Sequence, residues 1–328
     1  MLYKDRIYGK IDITELVILD LINSPSIQRL KGIDQAGYSE PWFPGTPRTR
    51  FEHSVGVYIL LKKYGASLEE QIAGLIHDVS HSAFSHCIDY VLGTKESGKK
   101  HDHQDNLFKK FVKKSEIPTI LKKHGFNLNY LLEEKNFPLK ETELPDICAD
   151  RIDYSLRDSY AFSKINKKEL QYFFDNLTTE NYRWVFKNFE SAKKFADLFF
   201  EMNEEYYAGM PTAVMFATVS EYLKYSLKRK YIVEEDLYKT DNFVLSKIEK
   251  HLVANKKLRL LFDRMNNKIK FKNNPRKYNV NIFCKSRMVD PLCSYQGKIN
   301  RVSEIDKNYL SLLKKYSQPK EYFIQFKD

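Results

Sequence analysis

The chain has 328 residues, 42% hydrophobic and 14% aromatic, enough apolar material to bury a substantial core and to exclude a wholly disordered protein. No stretch approaches the roughly 20 uninterrupted apolar residues of a membrane-spanning helix, and Met1–Arg6 is too polar to open a secretory signal, so a soluble, cytoplasmic protein without membrane contact is expected. The formal net charge of +11 favours anionic partners, nucleotides or weakly bound nucleic acid alike, while four cysteines without a C-x-x-C pair speak for neither a disulfide framework nor a zinc knuckle.

Short helices are predicted over Ile13–Ile22 and Ser26–Leu30, followed by a loop punctuated by Gly37, Pro41, Pro44, Gly45 and Pro47. A helix resumes near Phe51 and ends at Gly65, whose missing side chain suits a left-handed C-terminal cap. Ser67-Leu-Glu-Glu70 has capping-box form, and Leu68, Ile72, Leu75 and Ile76 share one face, so the next helix delivers His77 and Asp78 at its far end. Pro145 can open a helix that runs to about Phe162, because a first-turn residue needs no N–H. Helical patterns recur over Lys168–Asn176, Ser191–Glu205, Ala213–Lys230, Glu234–Lys250 and Lys256–Met265. The tail changes character: Lys268–Lys272, Tyr278–Cys284 and Glu321–Phe326 read as short strands around one more helix, Lys307–Tyr316.

Of the eight histidines, six lie between positions 53 and 103, three of them within Ile76-His-Asp-Val-Ser-His-Ser-Ala-Phe-Ser-His86. A lone histidine is usually structural, but imidazoles clustered with carboxylates match the needs of a divalent cation. Two neutral imidazoles and two carboxylates leave such an ion near neutrality, with coordination positions open to water and substrate, an arrangement that favours hydrolysis. Asp150, Tyr154 and Asp158 follow i, i+4, i+8 spacing and share one helical face, which would line a cleft beside the metal.

The ordered set His53, His77-Asp78 and Asp150 resembles the H…HD…D signature of HD-domain phosphohydrolases. Longer stretches resemble one branch, the deoxynucleoside triphosphate triphosphohydrolase (dGTPase-like) family: Ser26-Ile-Gln-Arg-Leu-Lys-Gly-Ile-Asp-Gln35, Phe43-Pro-Gly, Arg50-Phe-Glu-His-Ser-Val-Gly56, Ala73-Gly-Leu-Ile-His-Asp78 and Phe84-Ser-His86. The resemblance implies a mainly α fold, an HD-domain helical bundle with a helical second half and a small strand-containing C-terminal appendage. It implies a catalytic core over 1–165, a helical extension over 166–265 that completes the active site and an oligomer interface, and an α+β appendage over 266–328. His53, His77, Asp78 and Asp150 would hold a divalent metal, with manganese, magnesium, iron, zinc and nickel not distinguished. Arg50 and Arg151 would contact substrate phosphates, and Gln35, Tyr154 and Asp158 the sugar. His81, His86 and Asp89 would surround the reacting phosphate, and His103, or else His101, would serve in proton transfer.

The implied reaction converts a dNTP and water to deoxynucleoside and triphosphate, in a homo-oligomer carrying nucleotide effectors. The alternatives are a phosphomonoesterase or phosphodiesterase acting on another nucleotide, and a binding regulator without turnover. Three departures bear on specificity. The family's His-Asp-x-Gly-His-Gly-Pro run is here His77-Asp-Val-Ser-His-Ser-Ala83, implying a less sharp turn. The small Ala36 follows Gln35, which widens the sugar pocket. Glu204 and Thr212-Ala-Val-Met215 fall where the family carries an arginine and a Tyr-x-His-Lys stretch, with Tyr206, Tyr207, Lys224 and Lys228 as candidate stand-ins.

Overall fold

The computed structural model describes residues 1–93 and 103–327, and places most of them in helices. The helices Arg50–Lys63 and Leu68–Ile76 lie side by side, and the first also packs against Ala149–Ala161. Among the described residues, three apolar clusters form around them. Val55, Tyr58, Ile72 and Leu75 join the N-terminal helices; Leu60, Leu156, Phe173 and Phe199 join the central ones; Phe84, Met215 and Tyr222 join the second half.

The helix that carries His53 starts at a capping box absent from the sequence expectations. Thr49 Oγ1 accepts from Glu52 N at 3.2 Å, and Glu52 returns to accept from Thr49 N at 3.1 Å. The expected box at Ser67 forms only in half. Ser67 accepts from Glu70 N at 3.2 Å, but the buried Glu70 carboxylate turns away to accept from the amides of Leu139 and Lys140 at 2.7 and 2.9 Å. Two amides of the 139–150 segment need an acceptor there, and that demand outweighs the local one. Gly65 takes the expected left-handed conformation, φ +74°.

Other boundaries also move. The Pro145 helix begins instead at Ala149, because Ala149 N bonds to Leu139 O at 2.8 Å and Arg151 Nη1 reaches back to Thr142 O at 2.6 Å, holding 142–147 as a loop. The expected helix Glu234–Lys250 divides into a 3₁₀ turn, Glu234–Tyr238, and Asp241–Glu249, capped by Thr240. Asp241 is spent on tertiary bonds, its carboxylate accepting from Asp34 N and Phe84 N, both at 2.8 Å; burial pushes its pKa up to about 8. Ser191–Glu205 becomes the helix Phe189–Met202 followed by a π-turn, Asn203–Tyr207. Left-handed conformations fall just past the altered run His77–Ala83, at Phe84 and Ser85, with φ +60° and +41°.

The C-terminal strands occur as Phe271–Asn273, Val280–Cys284 and Lys320–Phe326, the last lying between the other two in an antiparallel sheet, and the helix Lys307–Tyr316 forms as expected. Two further sheets were not foreseen: a hairpin of Leu2–Asp5 with Gly9–Asp12, and a four-stranded sheet in which Arg183–Phe186 runs parallel to Leu292–Tyr295. All four cysteines are free and buried, consistent with packing roles. No helix among the described residues is long and apolar enough to cross a membrane.

Candidate active site

His53 enters from the Arg50–Lys63 helix, His77 caps Leu68–Ile76, and Asp150 stands in the first turn of Ala149–Ala161. One donor atom from each lies within 4.8 Å of the others, so the three could hold a metal ion. Two observations on the histidines fit that use. His77 Nδ1 donates to Gly74 O at 2.7 Å, which leaves Nε2 buried and, among the described residues, without a hydrogen-bond partner. His53 Nδ1 donates to Asp153 Oδ1 at 2.8 Å, which directs Nε2 at Asp150 Oδ1, also 2.8 Å away. A carboxylate or carbonyl on one ring nitrogen is the common way to orient the other toward a cation. Burial opposes a charge on His53, but its hydrogen bonds to the Asp150 and Asp153 carboxylates prevail and lift its pKa to about 10.

Asp78 adjoins the cluster, 3.4 Å from His77 Nε2 and 3.8 Å from His53 Nε2, although it is not one of the three donors that meet most closely. Its other strong contact is Arg50 Nη1, at 2.8 Å. Against the cost of burial, Arg50, His77 and His81 hold the Asp78 carboxyl well below its usual range. Arg50 therefore pairs with Asp78 and not with Glu52, which binds Arg6. A second trio, Glu141, Cys148 and Asp150, also gathers donors within 4.8 Å. There Arg151 already reaches Cys148 Sγ at 3.0 Å and Glu141 Oε1 at 3.0 Å, and burial drives the Cys148 thiol pKa well up, so the histidine-bearing trio fits a cation better.

His77, Asp78 and Asp150 open on one cavity of about 810 Å³, within the range of small-molecule sites, whereas the buried His53 is not part of its lining. Asp150, Tyr154 and Asp158 all line it, as their spacing requires. Arg50, Arg151, His77, Asp78, His81 and His86 line it as well, together with Gln35. Asp89 lies behind the wall, 3.5 Å from His86 Nδ1. Burial and the charge of Arg50 push His81 down to about 4 and His86 well below its ordinary value, keeping both imidazoles neutral. His103 opens the helix His103–Lys114, but its side chain lies outside the described residues, as does the whole of His101.

Away from the metal trio the wall becomes aromatic. Phe162 and Tyr206 stack with centroids 3.9 Å apart, and Phe43 meets both edge-on at 5.5 and 5.6 Å. Between the two regions, Tyr154 Oη and Gln35 Oε1 are buried without a hydrogen-bond partner among the described residues. Lys224 and Lys228 do not line the cavity, whereas Tyr206 and Tyr207 do, carried in by the π-turn. Glu204 instead pairs with Lys320 at 2.8 Å.

Several supports escaped sequence reasoning. Asp153, wholly buried, also accepts from Tyr8 Oη at 2.8 Å and from Arg157 Nη2 at 2.9 Å, and Arg157 pairs with Asp5 at 3.1 Å. Its signal was present, since Asp153 and Arg157 stand four apart on one helix. Gly56 leaves room for the pair: a Cβ there would sit 2.2 Å from both Arg157 Nη2 and Asp153 Oδ2. Arg29 braces the turn after His77 by donating to the carbonyls of Val79 and His81 at 2.7 and 2.8 Å.

A sequence profile described as the HD domain matches residues 50–158, the span from Arg50 to Asp158. Over 243 residues the chain is 40% identical to the uncharacterized protein YdhJ of Bacillus subtilis, covering 74% of this chain and 73% of that protein. This chain belongs to the HD-domain phosphohydrolases. Within that family it is also similar to metal-dependent phosphohydrolase cns2 of Cordyceps militaris, 42% identical over 173 residues, which are 52% of this HD protein and 48% of the fungal one. Deoxynucleoside triphosphate triphosphohydrolase SAMHD1 of Mus musculus is 33% identical over 142 residues, 38% of this chain and 21% of that protein. The match thus spans about half of cns2 and about a fifth of SAMHD1. A phosphohydrolase of Bacteroides thetaiotaomicron shares the fold end to end, with TM-score 0.74 and 18% identity, each chain fully covered. The HD protein is accordingly a metal-dependent hydrolase of mainly α architecture.

Proposed function

We propose that this HD phosphohydrolase converts deoxynucleoside triphosphates to deoxynucleoside and inorganic triphosphate. The observation that carries the reading is the single helical face Asp150, Tyr154, Asp158, which leads from the metal trio toward the aromatic wall inside one cavity. A reacting phosphate at Asp150 sets the sugar against Tyr154 and Asp158 and the base against Phe162 and Tyr206. The unpaired Tyr154 Oη and Gln35 Oε1 would receive sugar hydroxyls, and a ligand that leaves such atoms unpaired is disfavoured. The relatives named deoxynucleoside triphosphate triphosphohydrolases support the same substrate class.

His53, His77 and Asp150, with Asp78 adjoining, would hold a divalent ion, which would supply Lewis acidity and lower the pKa of water. The protein's own groups do the rest. Arg50 and Arg151 place positive charge beside the reacting phosphate, neutral His81 and His86 hold hydrogen bonds around it with Asp89 behind them, and His103 protonates the departing 5′-oxygen. We assign residues 1–165 to the catalytic core, 166–265 to the extension that closes the site, and 266–328 to the appendage, in a cytoplasmic homo-oligomer with nucleotide effectors.

Product analysis of purified protein on a panel of dNTPs and NTPs with several divalent metals tests the reaction. Inorganic triphosphate and deoxynucleoside are the expected products. Release of orthophosphate alone would instead favour the phosphomonoesterase reading, which the Glu204–Lys320 pair motivates by occupying the position of the family's arginine.

A further inference from the structure

The arginines of the cavity differ in what holds them. Arg48 pairs with Asp158; Arg50 is occupied by Asp78, Ser85 and the Gln35 carbonyl; Arg151 is occupied by Glu141 and the Thr142 carbonyl. Arg287 lines the same cavity from the loop between the strands Val280–Cys284 and Leu292–Tyr295, and among the described residues its guanidinium has neither a hydrogen bond nor an ion pair. It is close enough for its charge to act on both Tyr154 and His86.

The loop is held at that point. Asn203, fully buried at the start of the π-turn, accepts from Arg287 N at 2.9 Å and donates to Ser286 Oγ at 2.9 Å, while Ser286 Oγ donates to Tyr316 O at 2.6 Å. A half-buried guanidinium fixed at its backbone and lacking an acceptor presents a donor fork shaped for the oxygens of a phosphate. We propose that Arg287 is a phosphate-binding residue of this cavity, with Lys285 of the same loop adding positive charge beside it. The C-terminal segment thereby supplies a cationic contact that Glu204, paired with Lys320, does not. The inference rests on the phosphohydrolase reading of the cavity, and not on which nucleotide is hydrolysed.

Calorimetric titration of the metal-loaded protein with magnesium tripolyphosphate tests it. Arg287→Gln is expected to weaken binding about 10- to 100-fold, as loss of a charge-assisted hydrogen bond does, with the melting temperature unchanged. Arg287→Lys should recover part of the loss, because it keeps the charge but not the fork. Should Arg287→Gln fail to fold, the lysine variant still decides: affinity several-fold below wild type supports the role and equal affinity overturns it. Tripolyphosphate carries neither sugar nor base, so the outcome is independent of the product analysis. Wild-type affinity in Arg287→Gln overturns the inference even if dNTPs yield triphosphate, and weakened binding supports it even if they yield orthophosphate.

Discussion

Asp150→Ala is expected to abolish turnover and strip the bound metal while leaving the chain folded. Asp150 is the donor shared by His53 and His77, 2.8 Å from one Nε2 and 3.6 Å from the other. Without it, two imidazoles and Asp78 remain, and Asp78 is already committed to Arg50. The ion then loses both a ligand and half of the negative charge that offsets it. Loss of an outer partner that only orients a ligand typically costs roughly 10- to 100-fold in metal affinity or activity; loss of a ligand itself exceeds that. Metal analysis of the purified variant beside its turnover and its circular dichroism checks the expectation. A variant that is folded, metal-loaded and hydrolyses nucleotides at the wild-type rate would show that Asp150 is not a ligand.

Arg157→Ala should produce the largest loss of stability. The side chain is 1% exposed, and so are its partners to within a percent, Asp5 at 1% and Asp153 at 0%. Taking away one member of such a buried set leaves carboxylates desolvated without a counter-charge, which costs about 3–5 kcal/mol, a large share of a total stability of about 5–15 kcal/mol. The melting temperature should fall by on the order of 10 °C. Because Asp153 also orients His53, the variant should retain metal less well even at temperatures where it is folded. Thermal melting with and without added metal measures both effects; a fall of only a degree or two would mean that the network contributes little.

The candidate site was legible where its residues are concentrated in short stretches. His77 and Asp78 are adjacent, and the face shared by Asp150, Tyr154 and Asp158 follows from helical spacing alone. Long apolar-periodic helices such as Met210–Lys228 were equally visible, and so were the tail strands, rich in Val, Ile and Phe. Much of what escaped depends on contacts between distant segments. Leu177–Glu180 is polar for a strand and pairs with Arg183–Phe186, whose other neighbour, Leu292–Tyr295, lies about a hundred residues further along the chain. The Glu70 carboxylate serves Leu139 and Lys140, a demand invisible in its local capping-box pattern. Arg287 sits in an irregular loop whose position is set by Asn203, so no periodicity marks it.

His53, His77 and Asp150 are placed to converge on one cation. Crystals of the purified protein, measured at wavelengths bracketing the absorption edge of the metal it retains, test this most directly. One anomalous peak is expected about 2.0–2.2 Å from His53 Nε2, His77 Nε2 and an Asp150 oxygen. A metal found only between Glu141 and Cys148, or imidazoles whose Nε2 atoms face no density between them in protein that carries metal, would contradict it.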